Sequence, residues 1–564
     1  MEQPAPSSPA ARASAAAAPG TPLISVVTPA FNQGAAISRS IEVIQARLAA
    51  AGLDYELIVV SDGSSDDTYA VARRSAGGRV RVLGYTRNLG KGYALRTGSV
   101  AARGRWIAWI DSDLDLDPAG IPHFLATAQA RDLDVVIGSK RHPESEVQYP
   151  ARRRAYSWLY QQLVHLMFGL HVRDTQVGIK LFRREVLDRV LPVVLVKRYA
   201  FDLEILALAH RFGFPRIEEA PIRLDYGFAG SGVNWRAIAN ALWDTAAVFY
   251  RLRLLRYYDR ARRLTEATRR VRSAAPGSLS VVIAPDAVDE RTLKGLEAVT
   301  AQMDGSGPVL LALPEGEAVP ALPGVEPVLL PGAAEDRMRA AALATRSEVV
   351  AFLAPGALPS ASWVDAAMPL FGDPEVAAVV GPVVPELSGH LLSDAGGVLT
   401  ESRLGMGAAR MRHAVGPLRM VDEFPLTSVF VRGPDLRRLL ADGAPLDDTL
   451  CGRLRRASGH KVVCSPDVVV TARPAPLFRP YLRAIFDIGR ASGRNQASRP
   501  RPRLHHVAPV LLMLWAASAP LALRAAPAVA RAWLLGAVLY AGALAGMSAV
   551  SVLLHRRAAL AAVL

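Results

Sequence analysis

Four short apolar runs punctuate the first 110 residues, and each stops at a breaker or a polar cluster. Leu23-Ile24-Ser25-Val26-Val27 is closed by Pro29, and Glu56-Leu57-Ile58-Val59-Val60 runs into a polar turn. Val80-Arg81-Val82-Leu83 and Trp106-Ile107-Ala108-Trp109-Ile110 follow. Runs this short, rich in β-branched and aromatic residues, predict buried strands. Between the first two, Ile37, Ile41, Ile44 and Leu48 recur at helical spacing across Ala35 to Ala50, and a further helix is expected through Tyr69 to Arg74. Strands alternating with helices predict an α/β fold with a mostly parallel, Rossmann-like sheet covered on both faces.

The pattern then returns. Leu279-Ser280-Val281-Val282-Ile283-Ala284-Pro285 echoes Ile24-Ser25-Val26-Val27-Thr28-Pro29, and Glu348-Val349-Val350-Ala351-Phe352-Leu353 echoes Arg105 to Ile110. Two copies of one α/β domain in tandem are expected, joined by an arginine-rich stretch around Arg251 to Arg272. The carboxyl end differs: Val507 to Leu523 is 17 residues without a charge, and Ala532 to Leu554 is 23. Each is long enough to cross a bilayer core, which predicts a hairpin of two transmembrane helices. Arg499, Arg501 and Arg503 precede the pair and Arg556 and Arg557 follow it, so the positive-inside rule puts both ends, and the preceding domains, in the cytoplasm. The expected organisation is a disordered, leaderless tail at 1–22, a first domain at 23–258 and a basic linker at 259–277. A second domain at 278–498 and the hairpin at 499–564 complete it.

Composition narrows the functional classes. The 564 residues are 51% hydrophobic and 21% charged, with a net charge of +15, which excludes a wholly disordered or fibrous chain and favours anionic partners. Nucleic acid is not the expected one, because the basic stretches lack interleaved aromatic residues and lie beside the uncharged segments, where lipid phosphate would meet them. Cys451 and Cys464 are the only cysteines, too few for a disulfide framework or a zinc site, and they suit a reducing compartment.

In open parallel sheets ligands bind beyond the carboxyl ends of the strands, so the residues that close each run carry the chemistry. The first run delivers Pro29-Ala30-Phe31-Asn32-Gln33 and the second Ser61-Asp62-Gly63-Ser64-Ser65-Asp66, where Asp62 can accept hydrogen bonds from a base or ribose. Arg87-Asn88-Leu89-Gly90-Lys91-Gly92 offers a cation on a glycine-rich loop, and the fourth run delivers Asp111-Ser112-Asp113-Leu114-Asp115. Carboxylates clustered behind a buried strand are costly unless a cation compensates them. Asp111, Asp113 and Asp115 are the oxygen donors that Mg²⁺ or Mn²⁺ takes, and such an ion neutralises a departing diphosphate.

These stretches, together with Ile137-Gly138-Ser139-Lys140-Arg141 and Asp174-Thr175-Gln176-Val177-Gly178-Ile179-Lys180, resemble the family 2, GT-A fold glycosyltransferases. Within that family they are most similar to the polyprenyl-phosphate hexosyltransferases, the dolichyl-phosphate β-glucosyltransferases and mannose synthases. The resemblance runs from Ile24 to about Arg256. It implies a sugar nucleotide, of UDP-glucose or GDP-mannose type, bound through Pro29, Phe31, Gln33, Asp62, Lys91, Asp111 and Ser112, with the metal on Asp113. Gln33 stands where the family usually has Glu, Ser61 where it often has Asp, and Asp115 where mannose synthases tend to carry Gln.

The resemblance implies transfer of a hexose, with inversion, to a polyprenyl phosphate at the cytoplasmic membrane face. A phosphate monoester is largely dianionic at neutral pH and needs cations to aim it more than a base to activate it. Arg141 and Arg154, with Lys180, are the expected acceptor-phosphate ligands. The amphipathic segment Trp235 to Tyr258 either packs on the domain or lies on the membrane. In the second copy Ala354-Pro355-Gly356 replaces the metal carboxylates, so a scaffold role, or binding of a protein or glycan partner, is expected there. Two other readings stay open: a family 2 enzyme extending a glycan through a hydroxyl acceptor, and a nucleotide-sugar-binding scaffold without turnover.

Overall fold

The computed structural model describes residues 21–555, except 86–87, 146–150, 171, 196–200, 224–234, 260–261, 263–276, 304–305, 318–321, 387–389, 403–405, 423, 498–503 and 525–526. The expected tail, most of the basic linker and the last residues after the second uncharged segment lie outside the described residues. The chain divides into two compact units, Met1–Arg262 and Arg263–Leu564.

Seven strands build the first unit: β1 (Ile24–Ala30), β2 (Tyr55–Asp62), β3 (Val80–Tyr85), β4 (Trp106–Trp109), β5 (Val135–Ser139), β6 (Lys180–Arg183) and β7 (Ile217–Pro221). Their order is β3-β2-β1-β4-β6-β5-β7. Only β6 runs against its neighbours, pairing antiparallel with β4 and β5. Every residue of β1, β2, β4 and β5 is buried, which explains why these strands read as unbroken apolar runs: helices cover both faces. The chain steps outward from β1 to β3 and then returns to the far side of β1 as β4. That reversal opens the crevice between the β1 and β4 ends.

Two helices fix the walls of this crevice. Ile37–Ala50 buries Ile37, Ile41, Ile44 and Leu48, each contributing about 1.5–3 kcal/mol of burial. On the same face the Ser40 hydroxyl donates to the Ser112 carbonyl at 2.6 Å, pinning the helix to the acidic loop after β4. Lys91–Ala101 lies flush on β1: a Cβ at Gly98 would come within 2.3 Å of Val27 Cγ1. The Trp235–Phe249 helix and its π-helical extension Tyr250–Leu254 pack through Thr245, Val248 and Leu252, while Leu242, Trp243 and Leu254 stay exposed.

The second unit repeats the plan with a main sheet of β8 (Leu279–Ile283), β9 (Val309–Leu313), β10 (Val325–Leu329), β11 (Val349–Leu353), β13 (Val376–Val380), β15 (Arg419–Met420), β16 (Ser428–Arg432) and β17 (Lys461–Cys464). A small sheet of β12 (Leu358–Pro359), β14 (Val383–Pro385) and β18 (Val470–Ala472) completes it. The main order β10-β9-β8-β11-β16-β13-β17 matches that of the first sheet strand for strand, with β16 the antiparallel member in place of β6, and β15 is added at the edge. The tandem of sheet domains read from the repeat is therefore present.

At the matching end of the second sheet a buried arginine ties the β8, β9 and β10 ends together. Arg337, on the helix Ala334–Ala344 that corresponds to Lys91–Ala101, is 2% exposed. Its guanidinium donates to the carbonyls of Pro285, Ala312 and Gly332 and to Asp286 Oδ1. Nearby, Asp447 accepts from Thr449 and Arg453, and Asp448 accepts from the Leu426 N–H, so the acidic motif before the helix Leu450–Ser458 is spent on local contacts. Cys451 and Cys464 are free and buried, and burial pushes the Cys451 thiol up to about 12.

The expected first span, Val507 to Leu523, is not one helix. It is split into Leu504–Ala517 and Ala519–Arg524, because Pro520 has no N–H to bond the carbonyl four residues back. The second expected span falls on Pro527–His555, whose side chains are described only in part. Among the described residues no helix is long and apolar enough to cross a membrane.

Candidate active site

At the rim of the first sheet the β1 and β2 loops interlock. Asn32, at φ +51°, accepts from the Ser65 N–H and hydroxyl through Oδ1 and donates its own N–H to Ser64 Oγ. The N–H groups of Gln33 and Gly34 go to Thr68 Oγ1 and Asp66 Oδ2. Those bonds, the Thr68 hydroxyl above all, hold the Asp66 carboxyl below its ordinary range. Pro29 is buried within β1, and Phe31 emerges from this lacing 46% exposed, a ring presented to the crevice mouth.

Asp62, read in the sequence as a nucleotide contact, holds the neighbouring loop in place. It is 3% exposed, and its carboxylate accepts from the Tyr85 hydroxyl at 2.8 Å, the Leu89 N–H at 2.8 Å and the Gly90 N–H at 3.0 Å. A carboxylate buried under three donors braces the loop that launches Lys91. Gly90, at φ +96°, makes the turn into the helix that only a residue without Cβ makes readily.

Lys91 and Asp111 form the centre. The ammonium lies 2.6 and 2.8 Å from the two Asp111 oxygens. Burial opposes the charge on Lys91, but Asp111, with Asp202 and Asp113 farther off, outweighs it and holds the ammonium above its usual range. Burial also raises the Asp111 carboxyl, more than Lys91 lowers it. Gly178 closes over this pair: a Cβ there would stand 2.0 Å from Asp111 Oδ2. The Asp174 to Gly178 motif thus touches the acidic loop through backbone alone.

The rest of that loop is strained. Leu114 sits at φ +60°, a left-handed conformation that a branched side chain rarely adopts and that clusters at functional sites. The Asp115 N–H donates to Asp113 Oδ1 at 3.3 Å. This turn uses one Asp113 oxygen locally, and among the described residues no three His, Cys, Asp or Glu side chains converge as a metal cage. The expected triad of Asp111, Asp113 and Asp115 is not drawn together in the described residues, and Asp115 turns its N–H to Asp113. Asp111 and Asp113 still present the hard oxygen donors a divalent ion takes, and the Lys91 ammonium occupies the cation's place against Asp111. Their chemistry fits such an ion, which Asp111 and Asp113 would hold.

The acceptor assignments divide. Lys180 is corrected: β6 begins at the rim, but its ammonium is 2% exposed, donating to the Val177 carbonyl and to Asp202 Oδ1 at 2.7 Å. A cation so enclosed holds the core and the motif loop together. Arg141 is half-buried and spends one N–H on Gln161 Oε1 at 2.6 Å. Beside it, Arg173 reaches the Arg141 carbonyl at 3.4 Å. The Arg154 side chain lies outside the described residues, though its helix Ala151–Phe168 is defined.

Sequence reasoning missed three residues. Asp202 opens the helix Phe201–Arg211, pairs with Lys180 and adds its field to the Lys91–Asp111 centre. Glu219, on β7, accepts the N–H groups of Arg173 at 2.6 Å and Asp174 at 3.0 Å, anchoring the motif loop. Arg173 itself was legible as the cation next to that motif. Burial raises the Asp174 carboxyl, with Lys140 the main opposing influence.

Comparison with known proteins finds these similarities. The family described as "Glycosyl transferase family 2" matches residues 25–191. A dolichyl-phosphate β-glucosyltransferase of Drosophila melanogaster is 34% identical over 215 residues, covering 35% of this chain and 65% of its own. The human protein of that name is also 34% identical, over 33% of this chain and 56% of its own. A dodecaprenyl-phosphate galacturonate synthase of Rhizobium johnstonii is 30% identical over 30% of this chain and 49% of its own. The chain thus spans less than two thirds of each relative's length. Among solved structures, glucosyl-3-phosphoglycerate synthase of Mycobacterium tuberculosis, in complex with UDP, aligns at a TM-score of 0.32 and 22% identity, over 43% of this chain and 81% of its own. The glycosyl transferase family 2 match falls within the amino-terminal unit, and the relatives it resembles are polyprenyl-phosphate sugar transferases.

Proposed function

We propose that the first unit transfers a hexose from a nucleotide sugar to a polyprenyl phosphate, and that the carboxyl-terminal helices hold the chain at the cytoplasmic face of a membrane. The observation that carries the reading is the Lys91–Asp111 pair at the switch point of the sheet, capped by Gly178. It is supported by the similarity to dolichyl- and dodecaprenyl-phosphate sugar transferases. The diphosphate of the donor lies at the amino end of the helix Lys91–Ala101, where the Lys91 ammonium and the helix dipole both favour negative charge. Phe31 stacks on the base at the crevice mouth.

Asp111 and Asp113 would hold a divalent ion, Mg²⁺ or Mn²⁺, which when bound neutralises charge developing on the departing diphosphate. Arg141, with Arg173 and Lys140 beside it, orients the acceptor phosphate in line with the anomeric carbon. Because the acceptor arrives as an anion, no residue of the chain has to take a proton from it. A hydroxyl acceptor would need a base, and Asp447 of the second unit is a poor one. Burial opposes its charge, but Thr449 and Arg453 outweigh burial and hold the carboxyl below its ordinary range.

The test is a donor screen: purified full chain, UDP-glucose or GDP-mannose, Mg²⁺ or Mn²⁺, and undecaprenyl phosphate. The expected product is a polyprenyl monophosphate sugar. Transfer to a glycan hydroxyl in place of the lipid phosphate would overturn the acceptor assignment, and donor binding without turnover would leave a scaffold.

A further inference from the structure

The helix Arg479–Ala497 in the second unit does little for the core of that unit. Among its described side chains only Tyr481 is buried, at 8% exposure. Phe478, Leu482 and Phe486, spaced one helical turn apart, are 63%, 64% and 68% exposed. The stripe begins under strain, since Phe478 is held at φ +75° where a bulky residue is rarely found. It also continues past the helix. The Leu477 N–H donates to the Leu392 carbonyl at 2.9 Å, which brings up Leu391 and Leu392, 40% and 43% exposed. A helix in water draws most of its stability from packing an apolar face, and among the described residues Phe478, Leu482 and Phe486 of this face stay exposed.

The charges say what covers it. Arg479, Arg483, Arg490 and Arg494 stand on the helix against a single acid, Asp487, and Arg499, Arg501 and Arg503 follow before the uncharged segments. An apolar stripe flanked by arginines is the pattern of a helix lying in the plane of an anionic bilayer, rings among the acyl chains and guanidinium groups at the phosphates. We infer that Phe478, Leu482 and Phe486, with Leu391 and Leu392, form a docking surface for a membrane containing anionic phospholipid. This deepens the membrane-facing part of the proposed function and does not depend on the transfer chemistry.

The test uses the full chain transferred from detergent into vesicles. Cys451 and Cys464 are buried, so a fluorophore attaches selectively after Leu482→Cys, with Asp286→Cys, at an 86% exposed side chain, as the control. Vesicles of phosphatidylcholine, alone or mixed with phosphatidylglycerol, carry a lipid-borne quencher. Quenching at position 482 is expected to be at least about threefold stronger in the anionic vesicles, and to fall to the zwitterionic level in Arg479→Glu/Arg483→Glu. Equal quenching in both lipids, or none, overturns the inference. So does a spectral shift that grows with protein concentration and ignores the quencher, which would assign the face to a second copy of the chain. A probe placed by Tyr540→Cys reads insertion of the last helix separately. Its loss with quenching retained at 482 would remove the anchor and keep the surface.

Discussion

Replacing Gly178 with alanine tests the centre of the site with one methyl group. The new Cβ would lie 2.0 Å from Asp111 Oδ2 and 2.7 Å from Asp111 Cγ. Ordinary contact between such atoms is about 3.5 Å, so the carboxylate must retreat by more than 1 Å. That movement breaks the 2.6 Å contact with Lys91. A displacement of about 1 Å at a reacting centre costs on the order of 10²-fold in rate, and that loss in kcat/KM is the expected result. Stability should fall only by about 1 kcal/mol, because the Asp111 side chain is partly exposed and has room to swing outward. The assay is the initial rate of lipid-linked product against donor concentration, with a thermal melt alongside. A cycle with Asp111→Ala sharpens it: if Gly178 acts through Asp111, the double variant is no slower than Asp111→Ala alone. Wild-type kcat/KM in Gly178→Ala, or losses that simply add, would refute the assignment.

Lys180→Met should cost about 1–3 kcal/mol by leaving Asp202, 15% exposed, and the Val177 carbonyl without their cation, read as a lowered urea midpoint. An unchanged midpoint with a raised KM for lipid phosphate would return Lys180 to the acceptor site. Lys91→Met removes the group that lowers the Asp111 carboxyl, so the acid limb of the kcat/KM profile should move to higher pH. A limb that stays put or moves to lower pH contradicts the pairing. Arg141→Ala should raise the KM for polyprenyl phosphate by at least about tenfold with little change in donor KM, and the opposite split would move Arg141 to the donor side.

The sheet was legible because its strands are buried on both faces and so read as plain apolar runs closed by Pro29, Asp62 and Asp111. The repeat was legible for the same reason, and the matching strand orders follow from it. Roles were harder to read. Asp62 and Lys180 have the residue type of ligands, but Leu89, Gly90 and Asp202 reach them in space from 20 or more residues away, and no local pattern records that. Glu219 and Gly178 act through backbone contacts, which leave no periodic trace. Pro520 was visible in an uncharged run, yet charge says nothing about where a helix must break.

The buried guanidinium of Arg337 has a bearing on how the two halves of the chain diverged. Writing two aspartates back into Ala354-Pro355-Gly356 would leave untouched the buried guanidinium that ties Pro285, beyond β8, to Ala312 of β9. Taking Arg337 away would remove its bonds to Pro285, Ala312, Gly332 and Asp286. A side chain that would have to be rebuilt along with the carboxylates thus serves the scaffold of the duplicate, and the scaffold persists without them.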